Sequence, residues 1–118
     1  LLSNQKDFTL KENRKSKSQS QKGYLYLIFN QIIVDTGCSL EEVKYTLFKR
    51  VLNKDIFLRE GKFGVYERSS EDLNTKEMYI ATERLRHFCA TELGLYIPNP
   101  NEKEKIKIWE AELSRYNI

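Results

Sequence analysis

The chain has 118 residues, of which 40% are hydrophobic and 12% aromatic, and its formal net charge is +3. This length favours a single domain over residues 1–118, and the apolar fraction excludes an intrinsically disordered chain. No apolar run is long enough to span a bilayer and no secretory signal is recognisable, so we expect no membrane association. The sequence starts at Leu1 without a methionine, so we expect part of the native N-terminus to be missing.

A basic segment lies near the N-terminus, over residues 11–22. It contains five cations and one acid, Glu12, which gives it a net charge of +4. The cations are Lys11, Arg14, Lys15, Lys17 and Lys22. Their donor groups suit phosphate oxygens, so we predict a loop that binds a polyanion, although a solvated loop would explain the same charge. Phe8 and Leu10 alternate with polar residues and predict a short strand before this loop.

Apolar residues at helical spacing predict a first helix from Gly23 to Asp35. Its main stripe consists of Leu25, Ile28, Phe29, Ile32 and Ile33. Further apolar surface lies outside that stripe, at Tyr24, Tyr26, Leu27 and Val34. A helix that is apolar nearly all round lies at the centre of a fold or contacts a second chain, so we predict a homodimer. Gly37 is expected to end the helix.

A capping box predicts that the second helix starts at Ser39, because Glu42 follows three residues later. This helix is expected to reach Leu52. Its predicted buried residues are Leu40, Val43, Leu47, Phe48 and Val51. The segments Ile56–Leu58 and Phe63–Tyr66 then predict a β-hairpin, with Gly61 at the first central position of a type II′ turn.

Asn74, followed by Glu77, predicts the start of a third helix that continues to about Leu93. Its expected core face is Met78, Ala81, Leu85, Phe88 and Cys89, with Arg84 and Arg86 on the flanks. Residues 95–100 are expected to be extended, and Pro100 suits the first turn of a fourth helix. That helix is striped by Ile106, Trp109, Leu113 and Tyr116. The predicted fold class is α+β, helix-dominated, with about four helices and a small β-hairpin.

The sequence offers little for catalysis or metal binding. One histidine and two distant cysteines argue against a zinc site, and the cysteines indicate a reducing compartment. His87 is expected to form a surface pair with Glu83. Glu60-Gly-Lys62 has the Glu-x-Lys form of metal-dependent nucleases, with Asp55 as the potential partner, but a turn would expose both side chains. We therefore predict no enzyme activity, no cofactor and no metal site.

Aromatic residues offer a stacking surface for bases. Trp109, Tyr24 and Tyr26 could stack on a single strand. At helical spacing beside Ile and Leu, such residues are more typical of a core.

Three blocks of the sequence resemble the NinB (Orf) family of phage recombination proteins. Residues 17–26, Lys-Ser-Gln-Ser-Gln-Lys-Gly-Tyr-Leu-Tyr, are similar to the signature Arg-Ser-x-x-Gln-Asn-x-x-Leu/Tyr-Trp. Residues 69–78 are similar to Ser-Thr-Thr-x-Leu-x-Thr-x-Glu-Phe, and residues 92–102 to Glu-Leu-Gly-x-x-Leu-Pro-x-Pro-x-Glu. The order and spacing of the blocks also agree.

The resemblance implies a non-enzymatic accessory protein of homologous recombination that binds single-stranded DNA and assists recombinase loading. Implied partners are single-strand-binding protein or a recombinase, in the cytoplasm of a bacterial host. On this reading the nucleic-acid-binding candidates are Arg14, Lys15, Lys17, Gln19, Gln21, Lys22, Tyr26, Arg84 and Arg86.

Two other readings remain open. Two helices around Gly37-Cys-Ser39, followed by a hairpin, match the order of a winged-helix reader of duplex DNA. In that case Lys44, Lys49 and Arg50 would lie along a groove. A protein–protein interaction module, with the charges as a solvated face, is the other reading.

Overall fold

The first helix, α1, lies at the centre of the core. The computed structural model describes residues 21–116, and residues 21–36 are helical. Leu25, Ile28, Phe29 and Ile32 are buried, as their spacing predicted. Gly37 follows with a φ of 77°, a left-handed conformation that suits glycine and ends the helix. The strand predicted at Phe8 and Leu10 lies outside the described residues.

The second helix, α2, spans Glu42–Leu52 and follows the predicted capping box at Ser39. The Ser39 hydroxyl accepts a hydrogen bond from the Glu42 N–H at 3.1 Å, and the Glu42 carboxylate accepts one from the Ser39 N–H at 3.0 Å. These bonds satisfy backbone donors that have no partner within the helix.

The winding of α2 is of the π type, in which hydrogen bonds join residues five apart. The buried residues Val43, Phe48 and Asn53 recur at that spacing. The prediction that Leu40 and Val51 are buried was wrong: they are 41% and 63% exposed. It assumed 3.6 residues per turn throughout, whereas Val51 lies in the wider winding, which carries it away from the core, and Leu40 precedes α2.

A short helix, α3, spans Lys54–Phe57 and leads into the hairpin. The Asn53 carbonyl accepts hydrogen bonds from the N–H groups of Ile56 and Phe57 at 3.0 Å. This turn buries both side chains, so the prediction that a strand starts at Ile56 was wrong.

The predicted β-hairpin is confirmed, with shifted boundaries. Strand β1 spans Leu58–Gly61 and pairs antiparallel with β2, Gly64–Glu67. Gly61 lies opposite Gly64, so the central turn residues are Lys62 and Phe63, and Gly61 ends β1 instead of opening the turn. Gly64 has a φ of 119°, which makes it the position that requires glycine.

A short 3₁₀ turn, Ser70–Asp72, precedes the longest described helix, α4, which spans Thr75–Glu92. The predicted capping box is confirmed: Asn74 and Glu77 exchange hydrogen bonds of 2.8 and 3.1 Å. The core face is buried as predicted, except for the half-buried Phe88. Burial raises the pKa of Cys89 to about 11, so its thiol remains protonated at neutral pH.

The last helix, α5, spans Lys103–Ser114 and packs on α1. Trp109 and Leu113 are buried as predicted, and the Trp109 indole N–H donates to the Gln31 side-chain oxygen at 2.8 Å. Pro100 precedes the helix instead of lying in its first turn, because the Glu102 carboxylate accepts the Asn99 N–H and closes a turn first.

Two further points concern the ends of the fold. The prediction that Tyr116 belongs to the buried stripe of the last helix was wrong, since Tyr116 lies beyond Ser114 and is exposed. Among residues 21–116, no helix has the length and apolar character needed to cross a membrane.

Candidate functional site

The sequence-predicted site residues fall into three groups. Four of them, Arg14, Lys15, Lys17 and Gln19, lie outside the described residues. Gln21, Lys22 and Tyr26 lie on α1, and Arg84 and Arg86 lie on α4. The structure brings Gln21 and Arg86 to one cavity, whereas Tyr26 and Arg84 lie elsewhere.

A surface formed by Lys22, Tyr26, Lys44 and Tyr45 is here called the tyrosine–lysine face. Lys22 and Tyr26 are four residues apart on α1, so they share one side of that helix. The Lys44 ammonium, from α2, donates to the Tyr26 hydroxyl at 3.0 Å. It lies 5.6 Å from the ring centroid of Tyr26 and 5.3 Å from that of Tyr45. One cation is therefore held between two rings that are 36% and 37% exposed.

The Lys44 ammonium is charged at neutral pH. Its pKa is raised above the ordinary value, chiefly because it hydrogen-bonds to the Tyr26 hydroxyl. The position of the cation is also fixed by that bond, so its charge is presented at a defined place between the rings.

Two further cations of α2, Lys49 and Arg50, are bonded within the protein. Lys49 is only 4% exposed, and its ammonium donates to the Arg68 carbonyl at 3.2 Å. It lies 4.8 Å from the Tyr45 ring centroid, and burial lowers its pKa. Arg50 donates to the Glu67 carboxylate at 3.0 Å. Both cations are therefore engaged within the protein.

Lys22 forms an exposed ion pair with Glu71 at 2.5 Å. The Lys22 side chain is 38% exposed and that of Glu71 is 68% exposed. Exposed pairs of this kind contribute about 0–1 kcal/mol, so a phosphate can replace Glu71 as the partner of Lys22 at little cost.

The two arginines predicted on α4 are held by acids of the chain itself. Arg84 donates to both carboxylate oxygens of Asp55, at 2.6 and 3.2 Å, and this bond lowers the pKa of Asp55. Arg86 donates to both carboxylate oxygens of Glu83, at 2.9 and 2.8 Å. Their charges are thereby locally neutralised.

A cavity of about 340 Å³ opens between the start of α1, the outer side of α4 and residues 99–101. It is here called the α1–α4 cavity, and its lining consists of Gln21, Tyr24, Tyr79, Thr82, Glu83, Arg86, Asn99, Pro100 and Asn101. Tyr24 is buried and donates from its hydroxyl to the Pro98 carbonyl at 2.6 Å. Burial raises the pKa of Tyr24 to about 12, so this phenol stays protonated at neutral pH.

Of the three aromatic residues considered for base stacking, only Tyr26 is exposed. Tyr24 and Trp109 are buried against each other, edge to face, with ring centroids 6.3 Å apart. Sequence reasoning missed Tyr45, whose exposure depends on the winding of α2, and Tyr79, which follows the buried Met78 directly.

The residues of the nuclease-like pattern lie on the hairpin. Glu60 is exposed on β1 and Lys62 is exposed in the turn, while Asp55 is bonded to Arg84. The surface pair predicted between Glu83 and His87 was wrong, because Glu83 binds Arg86 instead. Over residues 21–116, no three His, Cys, Asp or Glu side chains are grouped to hold a metal ion.

Comparison with known protein families found no matching family, and comparisons with curated proteins and with solved structures found no significant match.

Proposed function

We propose that this protein is a non-enzymatic accessory protein of phage or prophage homologous recombination that binds single-stranded DNA. The strand is bound by the basic segment, residues 11–22, and by the tyrosine–lysine face. One observation carries the proposal: the Lys44 ammonium sits between the exposed rings of Tyr26 and Tyr45. This arrangement lies one helical turn from Lys22, the last cation of the basic segment.

The physical basis is the combination of cations with stacking rings. Cations neutralise phosphates without regard to sequence, and aromatic rings stack on bases for about 1–3 kcal/mol per base. A single strand exposes both groups at once, whereas the bases of a duplex are stacked on one another. A face that offers an ammonium between two tyrosine rings therefore matches a single strand.

A winged-helix reader of duplex DNA is supported less well. That function requires Lys44, Lys49 and Arg50, all on α2, to lie along a groove of the DNA duplex. Lys49 is buried and bonded to a backbone carbonyl, and Arg50 is paired with Glu67. Lys44 is left as the one cation of the three that is free of an acid or carbonyl partner in residues 21–116.

The recombination role rests on the resemblance of three sequence blocks to the NinB family. That resemblance also supports single-strand-binding protein or a recombinase as partner, a bacterial cytoplasm as location, and a homodimer. For the dimer, Tyr24 packs inside the chain, so Leu27 and Val34, both half-buried, are the α1 residues that remain for a contact with a second copy.

A salt titration tests the proposal. Binding of single-stranded and duplex oligonucleotides is measured by fluorescence anisotropy as salt is raised. The basic segment supplies Arg14, Lys15, Lys17 and Lys22 as phosphate contacts. Each contact contributes about −0.7 to the slope of log K against log salt, so these four contacts should contribute roughly −3. Replacing Lys15 and Lys17 with alanine should reduce the magnitude of this slope by about 1.4.

The matched control replaces Lys103 and Lys107, both exposed on α5, with alanine. It removes the same net charge, so a change confined to the first double variant identifies the segment and excludes a bulk charge effect. An equal loss of slope in both variants, or tighter binding of duplex than of single strand, would contradict the proposal. Cleavage of either oligonucleotide with Mg²⁺ would contradict its non-enzymatic part.

A further inference from the structure

The α1–α4 cavity combines one open aromatic ring with amide groups. Tyr79 lines the cavity and is 59% exposed. Gln21, Asn99 and Asn101 place primary amides around the same space. The turn that carries two of them is fixed, because the Asn99 side-chain oxygen accepts the Asn101 N–H at 3.0 Å.

We propose that this cavity receives one unstacked base of the bound single strand, with Tyr79 as the stacking partner and the amides reading the base edge. The inference rests on the proposed function and adds a site to it. The side chains of Gln21 and Asn101 each offer both donors and an acceptor, which is the combination found on base edges, and Asn99 adds the donors of its amide nitrogen. A volume of about 340 Å³ is at the lower end of the range for small-ligand sites.

The charge of the cavity favours a neutral heterocycle over a phosphate. Arg86 is its one cation in the described lining, and both Glu83 carboxylate oxygens accept hydrogen bonds from it. Its remaining terminal nitrogen donates to the Ile97 carbonyl at 3.3 Å. The Nε–H of Arg86 has no partner in the described residues, but it is buried and does not face the open cavity. The two terminal nitrogens are bonded within the protein, so the pair forms a polar wall whose charges balance.

The cavity adjoins the tyrosine–lysine face at Gln21. Gln21 lines the cavity, and the next residue, Lys22, belongs to the face. A small cleft beside them is lined by both residues and by Glu71, the acid that pairs with Lys22. A strand whose phosphate displaces Glu71 from Lys22 is thereby placed within one residue of the cavity.

The test measures single-strand affinity for Tyr79→Ala and for Tyr79→Phe, which keeps the ring. The matched control is Tyr116→Ala, at an exposed tyrosine outside the cavity. Alanine is the best helix former, so the first variant should fold. The probes are a mixed-sequence single strand of about 16 nucleotides and an abasic strand of the same length. Tyr79→Ala should weaken binding of the first probe about fivefold or more, and leave the abasic probe and the salt slope unchanged. Tyr79→Phe and Tyr116→Ala should bind both probes like the wild type.

Three results would overturn the inference, and they separate it from the proposed function. If the wild type and Tyr79→Ala bind the base-carrying strand equally, with a normal salt slope, the cavity does not bind a base, although the proposed binding of single-stranded DNA stands. No binding of any strand by the wild type removes both. If Tyr79→Ala loses affinity for free deoxynucleosides but keeps its affinity for the strand, the cavity binds free nucleosides and does not bind a base of the strand.

Discussion

Replacing the buried Asn53 with alanine should remove a junction between α2 and α4. Asn53 is fully buried, and its amide nitrogen donates to the carbonyls of Phe48 at 3.0 Å and Ala81 at 3.3 Å. Its side-chain oxygen accepts from Arg84 at 3.3 Å. The substitution therefore weakens the contact between α2, which carries Lys44 and Tyr45, and α4, which carries Tyr79.

The magnitude follows from these contacts. The two amide hydrogen bonds contribute about 1 kcal/mol each. The deleted atoms leave a cavity of about 40 Å³, which adds about 1 kcal/mol. The free energy of unfolding should therefore fall by about 3 kcal/mol, a large share of the 5–15 kcal/mol that is roughly typical of a domain.

Urea unfolding followed by the fluorescence of Trp109, the single tryptophan of the chain, measures this change. The midpoint should drop without a change in the dependence of the free energy on urea, because the surface exposed on unfolding stays the same. Asn101→Ala is the control, since that residue is exposed and its loss should stay within about 0.5 kcal/mol. If Asn53→Ala lowers the free energy of unfolding by no more than Asn101→Ala does, this reasoning is refuted.

Other properties can be checked separately. The pKa of Glu77 is lowered from 4.5 to about 2, chiefly by its hydrogen bonds with Arg68. The ionised Glu77 carboxylate therefore stabilises the fold fully above pH 4.5, and this stabilisation is lost as pH falls towards about 2. In Glu77→Gln the urea midpoint should therefore decrease less over that pH range than in the wild type. An equal decrease in both proteins would contradict this prediction. Light scattering at micromolar concentration should show a homodimer, and a monomer at all concentrations would remove that prediction. Neither the wild type nor Glu60→Ala should cleave DNA with Mg²⁺ or Mn²⁺, and cleavage by the wild type that Glu60→Ala abolishes would contradict the non-enzymatic reading.

Local signals in the sequence predicted the parts of the fold that depend on neighbouring residues. The capping boxes at Ser39 and Asn74 were predictable because both partners lie within four residues of each other. The α+β class and the hairpin followed from apolar spacing and from glycines. The turn itself was misplaced because Gly61 and Gly64 flank the same two residues, and only the backbone angle of Gly64 distinguishes them.

Features that depend on distant contacts were not predictable. The π-type winding of α2 leaves no mark in apolar spacing, so Val51 was assigned to the core and Tyr45 was overlooked. The α1–α4 cavity joins three segments that are far apart in the sequence, at residues 21–24, 79–86 and 99–101. Gln21 and Arg86 were both selected from the sequence, but nothing in the sequence showed that they face one space.

The most direct test of the central claim is to observe the tyrosine rings while a single strand binds. The protein is labelled on its tyrosine rings and titrated with a single-stranded oligonucleotide in an NMR experiment. The ring signals of Tyr26 and Tyr45 should shift as the strand binds, and the signal of Tyr116, on the far end of the chain, should not. Saturable binding that leaves Tyr26 and Tyr45 unshifted would contradict the account.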